Sequence, residues 1–383
     1  MAPSRTARTL AFTLLFLVGS ATTTSRAHAS GGQKLKVLVP DRESLQYMAF
    51  WVARGGGSFE EEGVDVEVVV APPPQRGKAP ADELLETGEV DAAVLPPATY
   101  LRMIAAKAPV VVVANLFRND PYALVARTSV IASHKVPELG TPRERLAALQ
   151  GTTLAYPPPA YGRLKALLVS LQLDVDKDFK PTVLLLRDLA APFKDKSVEV
   201  AYLVSPYLEK AVASGEAVVV VDQATAEVPE LGNRQTNVLV VTRRAVTERR
   251  QAIFAAVRAI AAAETRIHKA QEEAVDALAK EFPTRDRREL EVAWQLYEPG
   301  IPETPAVRFE DLAPALALIP ESVPKPELAG VDLAPFVVQD FAAAVTSRDP
   351  GRRYRMIAIG FALAAAVISA LLTLRRRRRL AAK

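Results

Sequence analysis

The order of apolar and polar runs predicts an α/β protein whose mainly parallel sheets carry helices on both faces, and three observations support that prediction. Between Ser58 and Leu101 an acidic, glycine-ended turn feeds the alternating strand Val64–Val70. An amphipathic helix then closes at Gly88, and the wholly apolar strand Val90–Leu95 stops at Pro96-Pro97. Second, so few residues separate these elements that successive strands lie parallel, with helices as the crossovers. Third, the pattern returns. GEVDAAVLPPATYL in the first half is matched by KSVEVAYLVSPYLEK in the second, each an apolar strand, a proline turn, a tyrosine and a helix. Proline suits such a helix start, where its missing N–H leaves nothing unsatisfied.

Taken in order, Lys34–Pro40 is the first strand, and Ser44 is a candidate N-cap for a helix through Arg54, stopped by Gly55-Gly56-Gly57. Val64–Val70, Val90–Leu95 and Val110–Ala114 continue the first unit, and Tyr122–Arg127 leaves it. The second unit holds strand Thr153–Tyr156, ending in Pro157-Pro158-Pro159, then helix Tyr161–Leu173 and strands Thr182–Leu186 and Val198–Val204. Asn237–Thr242 returns the chain to the first unit. The remainder, to about Val345, is mostly helical with proline-rich connections at Pro299–Pro305 and Pro324–Pro326.

At 383 residues, with 49% hydrophobic and 24% charged side chains, the chain has room for a large core and two domains. The net charge of +4 is unevenly placed. Residues 1–29 carry three Arg and residues 351–383 eight Arg and one Lys, with no acid in either. Setting those twelve aside leaves 36 basic against 44 acidic side chains, a net of −8 for the body. A nucleic-acid partner is therefore rejected, since the basic character belongs to the tails.

Arg5 and Arg8 ahead of the apolar run Leu10–Val18, with Ala27-His28-Ala29 after it, read as a secretory signal over 1–29. The chain has no cysteine, so the exported fold must stand without disulfides. Met356–Leu374 is 19 residues without a charge, followed by Arg375–Arg379. That length crosses a bilayer, and the arginine cluster sets residues 375–383 as a basic cytoplasmic tail. The expected protein is thus single-pass in the cytoplasmic (inner) membrane, with its body in the periplasm or outside the cell and residues 356–374 in the lipid bilayer.

GxFEEEGxDVEVV from Gly57, LxxGEVDAAV from Leu85, APVVVVANL, YALVAR, LQGTTLAYPPPAYGRLKALL, VSPYLEKAVASGE and NVLVVTRR follow one another across residues 34–300. In this order they resemble the SsuA/THI5-like (NMT1-like) substrate-binding proteins of ABC transporters, which serve nitrate, sulfonate, taurine and pyrimidine uptake. The resemblance implies a two-lobed type II periplasmic-binding-protein fold closing over a small-molecule solute, with an ABC permease as partner. Lobe one would be 30–127 and, after the return, 236–350 with the carboxyl-terminal helices; lobe two would be 128–235. Carried over position by position, the ligand-facing residues are Ser44, Leu45 and Gln46 after the first strand and Pro97, Ala98 and Thr99 after the third. On the opposing lobe they are Tyr156, Pro158 and Tyr161, with Ser205 and Tyr207. Two departures stand out: Gly55-Gly56-Gly57 replaces the usual entry to the acidic turn, and the triple proline removes N–H donors that would hold an anion.

Helix amino termini at Ser44, Ala98 and Tyr161 would aim N–H groups into a cleft, although ordinary capping accounts for them as well. Tyr156, Tyr161, Tyr202 and Tyr207 offer stacking faces and hydroxyls, with Tyr202 better read as core. Tyr47, Phe50 and Trp51 share one helical face and read as core. Arg118, Arg163 and Arg187 are the cationic candidates for an acidic solute, with a solvated surface position as the default for each. Catalysis finds little support. No thiolate is available, His134 and His268 lack metal-ligand spacing, and no P-loop, GxSxG or GxGxxG appears, so neither metal nor cofactor is expected. A degenerate binding domain serving as a sensor or assembly scaffold is the alternative function.

Overall fold

The computed structural model describes residues 33–71, 80–185, 188–319 and 323–346. The expected signal at 1–29, the span at 356–374, the basic tail at 375–383 and Arg187 lie outside them. Among the described residues no helix is long and apolar enough to cross a membrane.

Two five-stranded sheets organise the chain. The first contains β1 (Gln33–Val39), β2 (Val64–Val70), β3 (Ala92–Leu95), β4 (Val110–Arg118) and β10 (Gln235–Thr242), in the order β2-β1-β3-β10-β4. The second contains β5 (Ala123–Arg127), β6 (Thr153–Tyr156), β7 (Lys180–Val183), β8 (Val200–Leu203) and β9 (Ala217–Asp222), in the order β7-β6-β8-β5-β9. β1 pairs in parallel with β2 from Gln33↔Val64 to Val39↔Val70, and with β3. β10 runs antiparallel between β3 and β4, and β5 runs antiparallel between β8 and β9. Each sheet is therefore mixed, with one antiparallel strand delivered from the other half of the chain. The predicted departing strand Tyr122–Arg127 is accordingly a full member of the sheet it enters, and the connections that cross are 119–122 and 223–234.

The strands form where the pattern places them because they are runs of valine and alanine hidden on both faces. Every residue of β3 and β8 is buried, as is all of β4 except Arg118. One face of the first sheet is covered by α1 (Met48–Gly55), and its other face by α2 (Pro80–Thr87) and α3 (Pro97–Ala105). α4 (Tyr161–Ser170) and α5 (Tyr207–Ala213) cover opposite faces of the second sheet. Tyr47, Phe50 and Trp51 fall in the core, 3%, 1% and 0% exposed, and Trp51 Nε1 donates to the Ser44 carbonyl at 3.0 Å. Burying one such aromatic contributes roughly 1.5–3 kcal/mol.

Three further helices follow: α6 (Arg250–Lys269), α7 (Gln271–Glu281) and α8 (Arg287–Tyr297). α6 and α7 both pack on α1, while α8 touches α7 on one side and α5 of the second lobe on the other. The carboxyl-terminal part of the body thus bridges the lobes. Gly55 explains the glycine run, because a Cβ there would lie 2.0 Å from the Ala277 carbonyl oxygen of α7. Only glycine lets the two backbones meet that closely.

Candidate functional site

Open parallel sheets present ligand-binding loops at the carboxyl ends of their strands. Here the loop after β1 meets the loop after β8 directly. The Leu45 N–H donates to Ser205 Oγ at 2.7 Å, and that hydroxyl donates to Glu209 Oε1 at 2.6 Å. The Ser205 N–H donates to Tyr297 Oη at 2.8 Å. The two sets of strand ends therefore face one another across the boundary between the lobes.

The expected site residues divide by accessibility. Ser44 and Leu45 are fully buried, Ser205 is 4% exposed, and Pro97 is buried as the first residue of α3. Ser44 makes no side-chain cap, and its Oγ has no hydrogen-bond partner. Gln46, Ala98, Thr99, Tyr156, Tyr161 and Tyr207 are half-buried, and Pro158 is exposed. Asn237 Nδ2 donates to the Gln46 carbonyl at 3.4 Å. Tyr156 and Tyr161 form one aromatic surface, with ring centroids 5.2 Å apart and planes at 35°. The triple proline holds this pair together, since Pro158–Ala160 folds as a tight turn that leads straight into α4. Ser44, Leu45 and Ser205 are thus brought together, but as a closed contact rather than as the wall of an open hollow.

The crossings between the sheets carry charged groups, of which only Arg163 stands out in the sequence. Arg163, on the first turn of α4, donates from Nη1 to Asp120 Oδ1 at 3.1 Å, and its guanidinium lies 5.4 Å from the centre of the Tyr122 ring. Burial opposes its charge, but Asp120 together with the Tyr122 and Tyr202 hydroxyls raises its pKa above the ordinary value. Tyr122 stacks on Tyr202 at 4.8 Å, and Gln223 Nε2 donates to the Tyr202 hydroxyl at 2.5 Å. Tyr202 is fully buried, as its apolar strand suggested. Burial lowers the pKa of Arg234 nearby. Asp120 is 2% exposed and belongs to no sequence motif. Its only signal was a lone acid beside the junction where the chain changes sheet.

A cavity of ≈ 940 Å³ flanks the crossings, lined among others by Asn115, Arg118, Asn233, Gln235, Lys269 and Glu303. Arg118 donates to Asn233 Oδ1 there at 3.0 Å. Of the cationic sequence candidates Arg118 lines it, and none of the ligand-facing residues carried over from the resemblance does. Asn115 Oδ1 and Gln235 Oε1 are without partners, but both atoms are shut away from solvent.

Reactive groupings are sparse. His268 bonds to Glu298 and to the Pro302 carbonyl, and His134 Nδ1 lies against the Val130 carbonyl and Ser133. Among the described residues no cluster of acids and histidines could hold a metal ion. Ser205 does sit beside a carboxylate, but its hydroxyl is buried and already engaged on both sides.

This geometry agrees with the comparisons to known proteins. The NMT1/THI5-like family model matches residues 44–274, so the chain belongs to that family. Similar solved structures include a protein of Bordetella bronchiseptica RB50, at 19% identity and TM-score 0.58, over 83% of this chain and 98% of that one. The periplasmic aliphatic sulphonate binding protein SsuA of Escherichia coli aligns at 18% identity and TM-score 0.56, over 81% and 99% of the two chains. The desulfurization enzyme DszB aligns at 14% identity and TM-score 0.55, over 82% and 99%. No curated protein matches the sequence at a significant level. Identities this low establish a shared two-lobed α/β fold, and that fold hosts both a binding protein and an enzyme.

Proposed function

We propose that the chain is an extracytoplasmic solute-binding protein of an ABC importer, tethered to the cytoplasmic membrane through residues 356–374. A small organic or anionic solute of the nitrate, sulfonate, taurine or pyrimidine type would bind between the lobes. The observation that carries this reading is the meeting of the loops after β1 and β8, joined by the Leu45–Ser205 hydrogen bond. The proposed recess lies beside this closed contact, where strand ends converge from two open sheets and a solute would lose its water on two sides at once.

The accessible members of the expected set, Gln46, Ala98, Thr99, Tyr156, Pro158, Tyr161 and Tyr207, supply the recess. The amino terminus of α3 contributes N–H groups and the Tyr156–Tyr161 pair a stacking surface. Ser44, Leu45, Pro97 and Ser205 form the buried layer behind it. The proposed activity is binding without chemistry, and the Ser205 hydroxyl beside Glu209 is already engaged on both sides. About ten residues separate Val345 from the span, a reach of at most roughly 35 Å, so the body would work close to a neighbouring permease.

The test is a thermal-shift panel of alkanesulfonates, taurine, nitrate and pyrimidines on the full-length chain. One solute class should raise the melting temperature, and Tyr156→Ala with Tyr161→Ala should abolish the rise. No shift with any class would overturn the binding reading. One observation favours the sensor or scaffold alternative: a continuous apolar cluster runs from Leu45 and Tyr47 to Leu203 and Leu208, across both lobes. A protein that never opens would give the flat panel and would still fold.

A further inference from the structure

Arg285 lies in the turn between α7, which packs on the first lobe, and α8, which reaches the second. Its side chain is only 5% exposed and contacts both lobes. On the first, Nη2 donates to the Glu43 carbonyl and approaches Glu43 Oε2 at 3.3 Å. On the second, Nη1 donates to Glu209 Oε1 at 3.1 Å, with Glu289 3.0 Å away on its own segment. Glu209 is fully buried and takes the Ser205 hydroxyl, which in turn accepts the Leu45 N–H. A single chain of hydrogen bonds, charge-assisted where it meets Glu209, therefore runs from Arg285 through Glu209 and Ser205 to Leu45 ahead of α1.

We propose that this chain is a latch that holds the lobes closed without solute, the Ser205 hydroxyl occupying an N–H that would otherwise be free at the helix entrance. The inference rests on reading the interface as a cleft that opens. Its consequence is regulatory. Solute gains access only from the unlatched population, so the apparent affinity falls by the fraction of molecules that are open. The strength of Arg285–Glu209 then sets the concentration at which the receptor responds. Buried, charge-assisted bonds suit this role, because each is strong while made and costly to leave half-made.

The absence of cysteine makes the test direct. Spin labels attached through Glu86→Cys on the first lobe and Leu139→Cys on the second, both exposed, report the distance between lobes by pulsed electron resonance. The full-length chain without solute should give one narrow distribution. Ser205→Ala should broaden and lengthen it. So should the paired change Glu209→Met with Arg285→Met, which removes both charges together and leaves neither buried alone. Circular dichroism melting confirms that each variant is folded, and if the pair fails to fold, Ser205→Ala decides. An unchanged distribution in a folded latch variant, or a broad one in the unaltered protein, overturns the latch. No solute enters the measurement, so it fails separately from the binding reading. A flat solute panel with a lengthened distance keeps the latch, and a positive panel with an unchanged distance removes it.

Discussion

Glu264 faces inward from α6 with no exposed surface, and both of its carboxylate oxygens lack a hydrogen-bond partner. Burial pushes its pKa well above the ordinary 4.5. The folded chain therefore holds this proton at a pH where the unfolded chain has lost it. Its contribution to stability is full below about pH 4.5 and declines as pH rises through the folded value. Glu264→Leu removes the unpaired acid, so at pH 7 we expect a gain of about 1–3 kcal/mol in urea unfolding and a flatter pH profile. A less stable variant with an unchanged slope would refute the assignment. Asp120 is the opposite case, since its charge is matched by Arg163. Asp120→Ala leaves a buried guanidinium alone and should cost about 3–5 kcal/mol, whereas a loss under about 1 kcal/mol would mean that Arg163 finds water.

Among elements, what the sequence disclosed and what it hid follow from range. Val64–Val70 and Thr153–Tyr156 were legible to the residue, because alternation and uninterrupted apolar runs are local signals. β4 extends to Arg118, beyond the Val110–Ala114 run, because Asn115, Phe117 and Arg118 find β10 as a partner across more than a hundred residues. The same limit hid the latch. Leu45, Ser205 and Arg285 carry no mutual spacing, and only the fold brings them together. Ser205 was legible as a strand-end residue, but its commitment to Leu45 and Glu209 was not. Gly55 reads locally as a helix stop, while its close approach to Ala277 is tertiary. We expect Gly55→Ala to cost about 1–3 kcal/mol by forcing α1 from α7. Gly63→Ala, in a left-handed turn with φ +80° and no neighbour within 4 Å, should cost about 1–2 kcal/mol from backbone strain alone. Chemical denaturation of both variants checks the pair, and only the Gly55 variant should also weaken α1–α7 amide protection.

For the whole molecule, the charge distribution and the bridging helix matter most. The body is acidic and the tails are basic, so attraction of an anionic solute must come from local N–H groups and arginines rather than from the overall field. α8 touches both lobes, so any opening must pivot about that contact and about the two crossings at 119–122 and 223–234. In the proposed reading the lobes would move through a limited arc, with the Tyr156–Tyr161 pair beside the solute. Native mass spectrometry of the full-length chain purified from its own host examines the recess itself. The account predicts one small solute bound per chain, released by collisional activation and absent after Thr99→Trp fills the entrance beside α3. A bare chain mass, both as purified and after incubation with every solute class, would contradict it.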